Sequence, residues 1–318
     1  MILRRWYSLV LLGSVLVGGP LQAQKIKLPV PVAELEARAR ADSTDAAAQY
    51  NVALGYWSEK RFDDAERALR TAVAIDQRFA QARLALAFLP YARRPRLYTE
   101  LFRHEVPADQ VKVIEQANRE YRHAFLIDPL VDLRIIAAAT PSSANFVDLK
   151  DYLGEAFALF YQGFADCEEG RYEDCHGRFA ALIDRIDGER YPQRVPNSVL
   201  WYKGIAAAHV GKFDIATSHF RSLIGRDIDY EKELAKKDEL AWVPLRTNEY
   251  KYTLATILQA AGRTAEAVPL FLEVLQADIG LYMAHVRLAN IYEAQRDWPH
   301  AVAERTRAVD VNPDDPSL

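Results

Sequence analysis

The chain has 318 residues, half of them hydrophobic, with 40 Lys and Arg against 44 Asp and Glu and a net charge of −4. That length and apolar content support a substantial core. The mixed, nearly balanced charge lacks the clustered basic face that nucleic acid requires.

Arg4 and Arg5 precede an apolar run from Trp6 to Val17, broken by Gly18-Gly19-Pro20 and followed by Leu21-Gln22-Ala23. The run is shorter than the roughly 20 apolar residues that span a bilayer. The layout is that of a cleavable secretory signal peptide at residues 1–23, with the mature chain starting at Gln24. It predicts an exported protein, periplasmic or secreted; the alternative is an uncleaved N-terminal membrane anchor. Removing the segment leaves 38 basic against 44 acidic residues. Residues 24–45, with the helical stretch from Pro31 to Arg40 and then Asp42-Ser43-Thr44-Asp45, read as an N-terminal capping segment.

From residue 46 to 313 one phrase recurs with variations: an apolar helix, a short break, a small residue, an aromatic or Leu four residues on, then Ala or Leu. It is read in Tyr50, Ala53 and Tyr56 with Ala65, Leu69 and Ala72, and again around Gly163, Gly170, Cys175 and Phe179. Further copies hold Gly204, Gly211, Ala216 and Phe220, then Leu254, Ala255, Gly262, Ala267 and Phe271, then Leu288, Ala289, Tyr292, Ala301 and Ala308. Ala267 and Ala301 stand 34 residues apart.

The phrase and this period resemble the tetratricopeptide repeat. The first-helix Gly is replaced by Ala53, Ala255 or Ala289, and the closing Pro is often missing, as at Gln77. The resemblance implies an all-α chain, a TPR-type α-solenoid in which about six antiparallel helix pairs wind into a right-handed superhelix. One copy is stretched, its first helix spanning Ala80 to Leu89 before Pro90 and its second Ile114 to Ile127. Insertions are expected at 91–113, 132–155, 188–196 and 231–247, and a frayed tail at 314–318. The last helix, with Glu304, Arg305 and Arg307, is expected to present a polar exterior.

Small residues at the hairpin contact let two helices approach closely, so Gly204 opposite Ala216 is expected to be intolerant of bulk. Among the seven histidines no pair has metal-binding spacing with a nearby Glu, although His209 and His219 could approach one another. No nucleophile elbow, phosphate loop or dinucleotide fingerprint is present. The expectation is a chain that is not an enzyme, with no cofactor and no small-molecule substrate. Cys167 and Cys175, the only cysteines, fall on either side of one predicted turn. They either bond, as an exported protein permits, or Cys175 merely replaces a small Ala while Cys167 stays free.

In the tetratricopeptide family the first helices line a concave groove. That geometry implies an inner row of Tyr50, Leu54, Trp57, Leu84, Phe88, Phe157, Phe160, Phe164, Trp201, Ile205 and Tyr252. The row is too apolar to stand open to water. Either it receives a partner segment or the insertions fold back over it, the latter favoured for Phe157, Phe160 and Phe164 because Ile135-Ile136 and Phe146 to Leu149 also need cover. The partner-binding candidates are Tyr50, Leu54, Trp57, Leu84, Phe88, Trp201, Ile205 and Tyr252. Arg93, Arg94 and Arg96, beside Tyr91, Tyr98 and Phe102, form a small basic cluster suited to an acidic partner or lipid headgroups if it is not simply solvated. The reading is an exported scaffold or adaptor for a protein partner in the cell envelope, with a subunit docked permanently on a membrane-bound complex as the alternative and an enzyme whose site is formed by the insertions as a third.

Overall fold

The computed structural model describes residues 30–102, 106–139, 154–236, 246–315 and 318. The expected signal peptide, the segment Phe146 to Leu149 and much of the fourth insertion lie outside the described residues. The chain divides into two compact units, one ending at Arg171 and the other running from Tyr172.

The first unit contains α1 (Val32–Ala41), α2 (Ala46–Ser58), α3 (Phe62–Ile75), α4 (Ala80–Arg93), α5 (Arg96–Phe102), α6 (Val111–Ile127), α7 (Arg134–Ala139) and α8 (Glu155–Glu168). The second contains α9 (Tyr172–Arg185), α10 (Asn197–His209), α11 (Phe213–Lys236), α12 (Thr247–Ala260), α13 (Thr264–Ala277), α14 (Tyr282–Ala294) and α15 (Trp298–Val311). No strand occurs among the described residues. Consecutive helices pack as pairs, α2 with α3, α4 with α6, α10 with α11, α12 with α13 and α14 with α15, and the pairs stack through α3 on α4, α11 on α12 and α13 on α14. The fold is an all-α, tetratricopeptide-type solenoid of helix pairs. The third sequence copy is divided, its first helix α8 closing one unit and its second helix α9 opening the other.

Local chemistry explains the pairs. In α3, Ala65, Ala68, Leu69 and Ala72 recur at helical spacing and are buried, while Asp63 and Asp64 sit in the first turn, where the helix dipole favours negative charge. Asp45 caps α2 by accepting a hydrogen bond from the Ala48 N–H at 3.0 Å. On the outer side of α2, Val32 and Leu35 of α1 lie against Gly55, where a methyl would meet them at 3.1 and 3.3 Å.

Five turns repeat one backbone conformation. Lys60, Gly170, Gly211, Gly262 and Arg296 all have φ between 60° and 75°, each two residues before a second helix starts. The next residue donates its N–H back across the turn, as Arg61 to Tyr56, Lys212 to Ala207, Arg263 to Leu258 and Asp297 to Tyr292, each at 2.8 Å. This left-handed C-terminal cap satisfies carbonyls that the helix end leaves open.

The stretched pair departs from its expected limits. Helix α4 passes through Pro90 and continues to Arg93. A proline in the last turn removes one backbone hydrogen bond yet leaves room for the final residues. The insertion contributes α5 and a short 3-10 turn at Ala108–Gln110 before α6, and α4 and α6 still pack together. Arg83 of α4 reaches Glu120 of α6 at 3.0 Å, both side chains largely covered. The second insertion contributes α7, which packs on both α4 and α8. The fourth insertion was expected to begin at residue 231, but α11 runs on to Lys236 and is 24 residues long, against 14 for α13.

Candidate functional site

Five of the eight inner-row candidates lie in the interior. Trp57, Leu84, Phe88, Ile205 and Tyr252 are buried, so a partner cannot reach them; Tyr50, Leu54 and Trp201 keep partial exposure. Trp57 packs edge-on to Phe62, their ring centroids 6.5 Å apart, and is thus spent inside its own hairpin. Phe88 meets Tyr91 and Tyr121 at 6.0 and 6.2 Å. Tyr252 meets Phe271 edge-on at 5.9 Å and accepts a hydrogen bond from Arg287 at 2.9 Å.

The second insertion supplies much of this cover in the first unit. Ile135, Ile136, Ala137, Ala138 and Ala139 of α7 are all buried. Phe164 is buried and stacks edge-on to Phe160 at 4.7 Å, while Phe157 and Phe160 stay half-buried. Tyr50 packs on Phe79 at 5.2 Å. Its hydroxyl is pushed up to about 12, first by burial and then by the Asp132 carboxylate, so the start of the insertion also lies near it.

Two of the three arginines in the basic cluster of the first insertion pair with neighbouring carboxylates, while Arg96 is exposed. Arg93 reaches Asp63 and Glu66 at 2.9 and 3.1 Å, and Arg94 reaches Glu100 at 2.9 Å. Tyr91 is buried.

The histidines group differently from the expectation for His209 and His219. His209 stacks on Tyr172 with centroids 3.9 Å apart and planes 3° from parallel. His219 instead lies with His176 and Lys203, where burial and then those two neighbours push it down to about 4. No group of three His, Cys, Asp or Glu among the described residues is placed to hold a metal ion. Both cysteines are fully buried and neither is free.

The last helix is the clearest departure from the sequence reading. Glu304, expected on a polar exterior, is buried against His285 of α14, with Nδ1 and Oε2 2.5 Å apart. It also pairs with Arg307. Between the exposed polar residues His300, Thr306, Arg307 and Asp310, α15 also presents Trp298, Val302 and Val309 to solvent, 59%, 64% and 40% exposed. Val302 and Val309 stand one 34-residue period after Val268 and Leu275 of α13. Those two are half-covered, and α14 packs on their helix. The row on α15 thus occupies positions that a following helix covers elsewhere in the array. The signal was available in the sequence as Trp298-x3-Val302-x6-Val309, a helical spacing on one face.

No protein-family model and no curated protein matches the chain. Among solved structures it is similar to PilW, described as a widely conserved type IV pilus biogenesis factor, at 16% identity over 86% of this chain and 96% of that one, with a TM-score of 0.34. It is also similar to the P58(IPK) TPR domain, at 15% identity over 90% of this chain and 89% of that one, with a TM-score of 0.22. The fold rests on the helix pairs and their shared turns. No helix among the described residues is long and apolar enough to cross a membrane.

Proposed function

We propose that the chain is an exported, non-catalytic scaffold that holds a protein partner in the cell envelope, and that it does so at the open face of α15. The observation that carries this reading is the row Trp298, Val302 and Val309, exposed at repeat positions that are half-covered in the preceding pair. The row fits an amphipathic helix of a partner, laid along α15 as one further helix of the stack. Tyr50, Leu54 and Trp201 remain secondary contacts, each with some surface left to offer.

Export rests on the N-terminal layout of Arg4-Arg5, the apolar run and Ala23. The same compartment suits a bond between Cys167 and Cys175, the only two cysteines, neither of which is free.

The reading is tested by co-purification from the native envelope with wild-type and Val302→Glu chains. The wild type should carry one partner in stoichiometric amount, and a charge at the centre of the row should remove it while the helical spectrum is unchanged. Retention of the partner by the variant contradicts docking on α15. A concentration-dependent dimer of the wild type alone, lost in the variant, assigns the face to a second copy and overturns the partner.

A further inference from the structure

The third insertion, between α9 and α10, is tightly built. Asp187 takes the left-handed conformation, with φ of 54°, and donates its N–H to Asp184 O at 3.0 Å. Gly188 donates to Ile183 O at 2.7 Å, and a methyl there would lie 2.6 Å from Val195 Cγ2, so the two ends of the loop close on one another. Val195 is buried, and Arg226 of α11 donates from Nη1 to its carbonyl oxygen at 2.7 Å and to Asn197 Oδ1 at 2.8 Å. Between these ends Tyr191 donates its N–H to Asp187 O, and Arg194 donates to Tyr191 O, both at 2.9 Å.

On this frame two guanidinium groups converge on one ring. Arg190 Cζ lies 5.2 Å from the Tyr191 ring centroid and Arg194 Cζ 4.1 Å from it, inside the roughly 6 Å over which a ring face attracts a cation. Both arginines are exposed and Tyr191 is half-buried. Neither arginine makes an ion pair among the described residues. Arg61 offers the contrast: it stands 4.2 Å from the Tyr56 ring, but Asp64 at 2.8 Å and Glu59 at 3.2 Å meet its charge. At Tyr191 the cation is doubled and no carboxylate answers it.

We propose that Arg190, Tyr191 and Arg194 form a contact for an acidic segment of a protein partner, separate from the face of α15. A guanidinium matches a carboxylate through two parallel hydrogen bonds, which a lysine cannot reproduce. A single exposed ion pair contributes little. Two guanidinium groups ordered by one ring on a closed loop lose less freedom on binding, and they select carboxylates that lie close together in the partner's sequence. The surroundings disfavour a membrane as the occupant. Anionic lipid answers to a broad excess of positive charge, whereas here Asp184, Asp187 and Glu189 offset Arg185, Arg190 and Arg194.

The test is an NMR titration of the chain with hexaglutamate, following the arginine Nε–H signals and the tyrosine ring signals. The expected result is saturable movement of Arg190, Tyr191 and Arg194 together, weakening between about 0.05 M and about 0.3 M salt. Arg190→Met and Arg194→Met should each lower the affinity by about three-fold or more. Tyr191→Leu should lower it as well although both charges remain, which distinguishes an ordered pair from loose charge. Arg96→Met, which removes an exposed arginine of the first insertion, should change nothing. No saturable movement, equal movement at Arg96, or affinity unchanged in the arginine variants or in Tyr191→Leu would overturn the contact. Movement of the same signals by phosphatidylglycerol vesicles and not by the peptide would assign the loop to lipid and overturn the acidic segment.

Discussion

The Nδ1 atom of His285 lies 2.5 Å from Oε2 of Glu304, and both side chains are 6% exposed. This buried pair ties α14 to α15, the helix whose outer face carries the proposed docking row. Removing Glu304 leaves His285 Nδ1 buried without its partner, which costs about 1 to 3 kcal/mol. We expect Glu304→Ala to lower the free energy of unfolding by that amount in urea titrations. A loss below about 1 kcal/mol would show that the pair is no more than a surface contact.

Two glycines separate packing from backbone strain. At Gly204 an added methyl would sit 2.9 Å from Phe220 Cε2, so Gly204→Leu should overpack the α10–α11 hairpin at a cost of about 1 to 3 kcal/mol or more. At Gly262 nothing lies within 4 Å, and only its φ of 74° matters. Gly262→Ala should cost about 1 kcal/mol through the left-handed conformation alone. Equal losses at the two sites, measured by thermal unfolding, would contradict this division.

His219 makes stability depend on pH in a defined direction. Its folded value is near 4, below the ordinary 6.5, so the unfolded chain binds the proton first. Stability contributed by the neutral ring is present above about 6.5 and is lost as pH falls towards about 4. The midpoint of thermal unfolding should therefore drop between about pH 6.5 and about pH 4, less steeply in His219→Gln than in the wild type. A parallel fall in both chains would remove His219 as the cause.

The proposed bond between Cys167 and Cys175 would restrict the unfolded chain by roughly 2 to 3 kcal/mol. Peptide mapping without reductant should recover them in one linked species. Recovery of both as free thiols would remove the staple.

Much of the fold was legible because the repeat pattern is local. Ala65, Leu69 and Ala72 announce a buried helix stripe, and Gly211 and Gly262 mark turns where a left-handed residue is needed. Lys60 and Arg296 adopt the same conformation without the glycine, and only their place in the repeat points to it. The inner row was less legible, since its exposure depends on what the insertions cover. Ile135 and Ile136 hint at a buried segment, but nothing local says that α7 packs on both α4 and α8. The end of the array misled for a related reason. Glu304 reads as a surface residue until His285 is found against it, and nothing local says that Val302 is left 64% exposed.

The central claim, a protein partner held on the open face of α15, is tested most directly by photocrosslinking in the native cell from positions 298 and 302. Lys232, exposed on α11, serves as the control position. The account predicts that both α15 positions trap the same envelope protein and the control does not. No adduct from either position, or the same adduct from position 232, would contradict it.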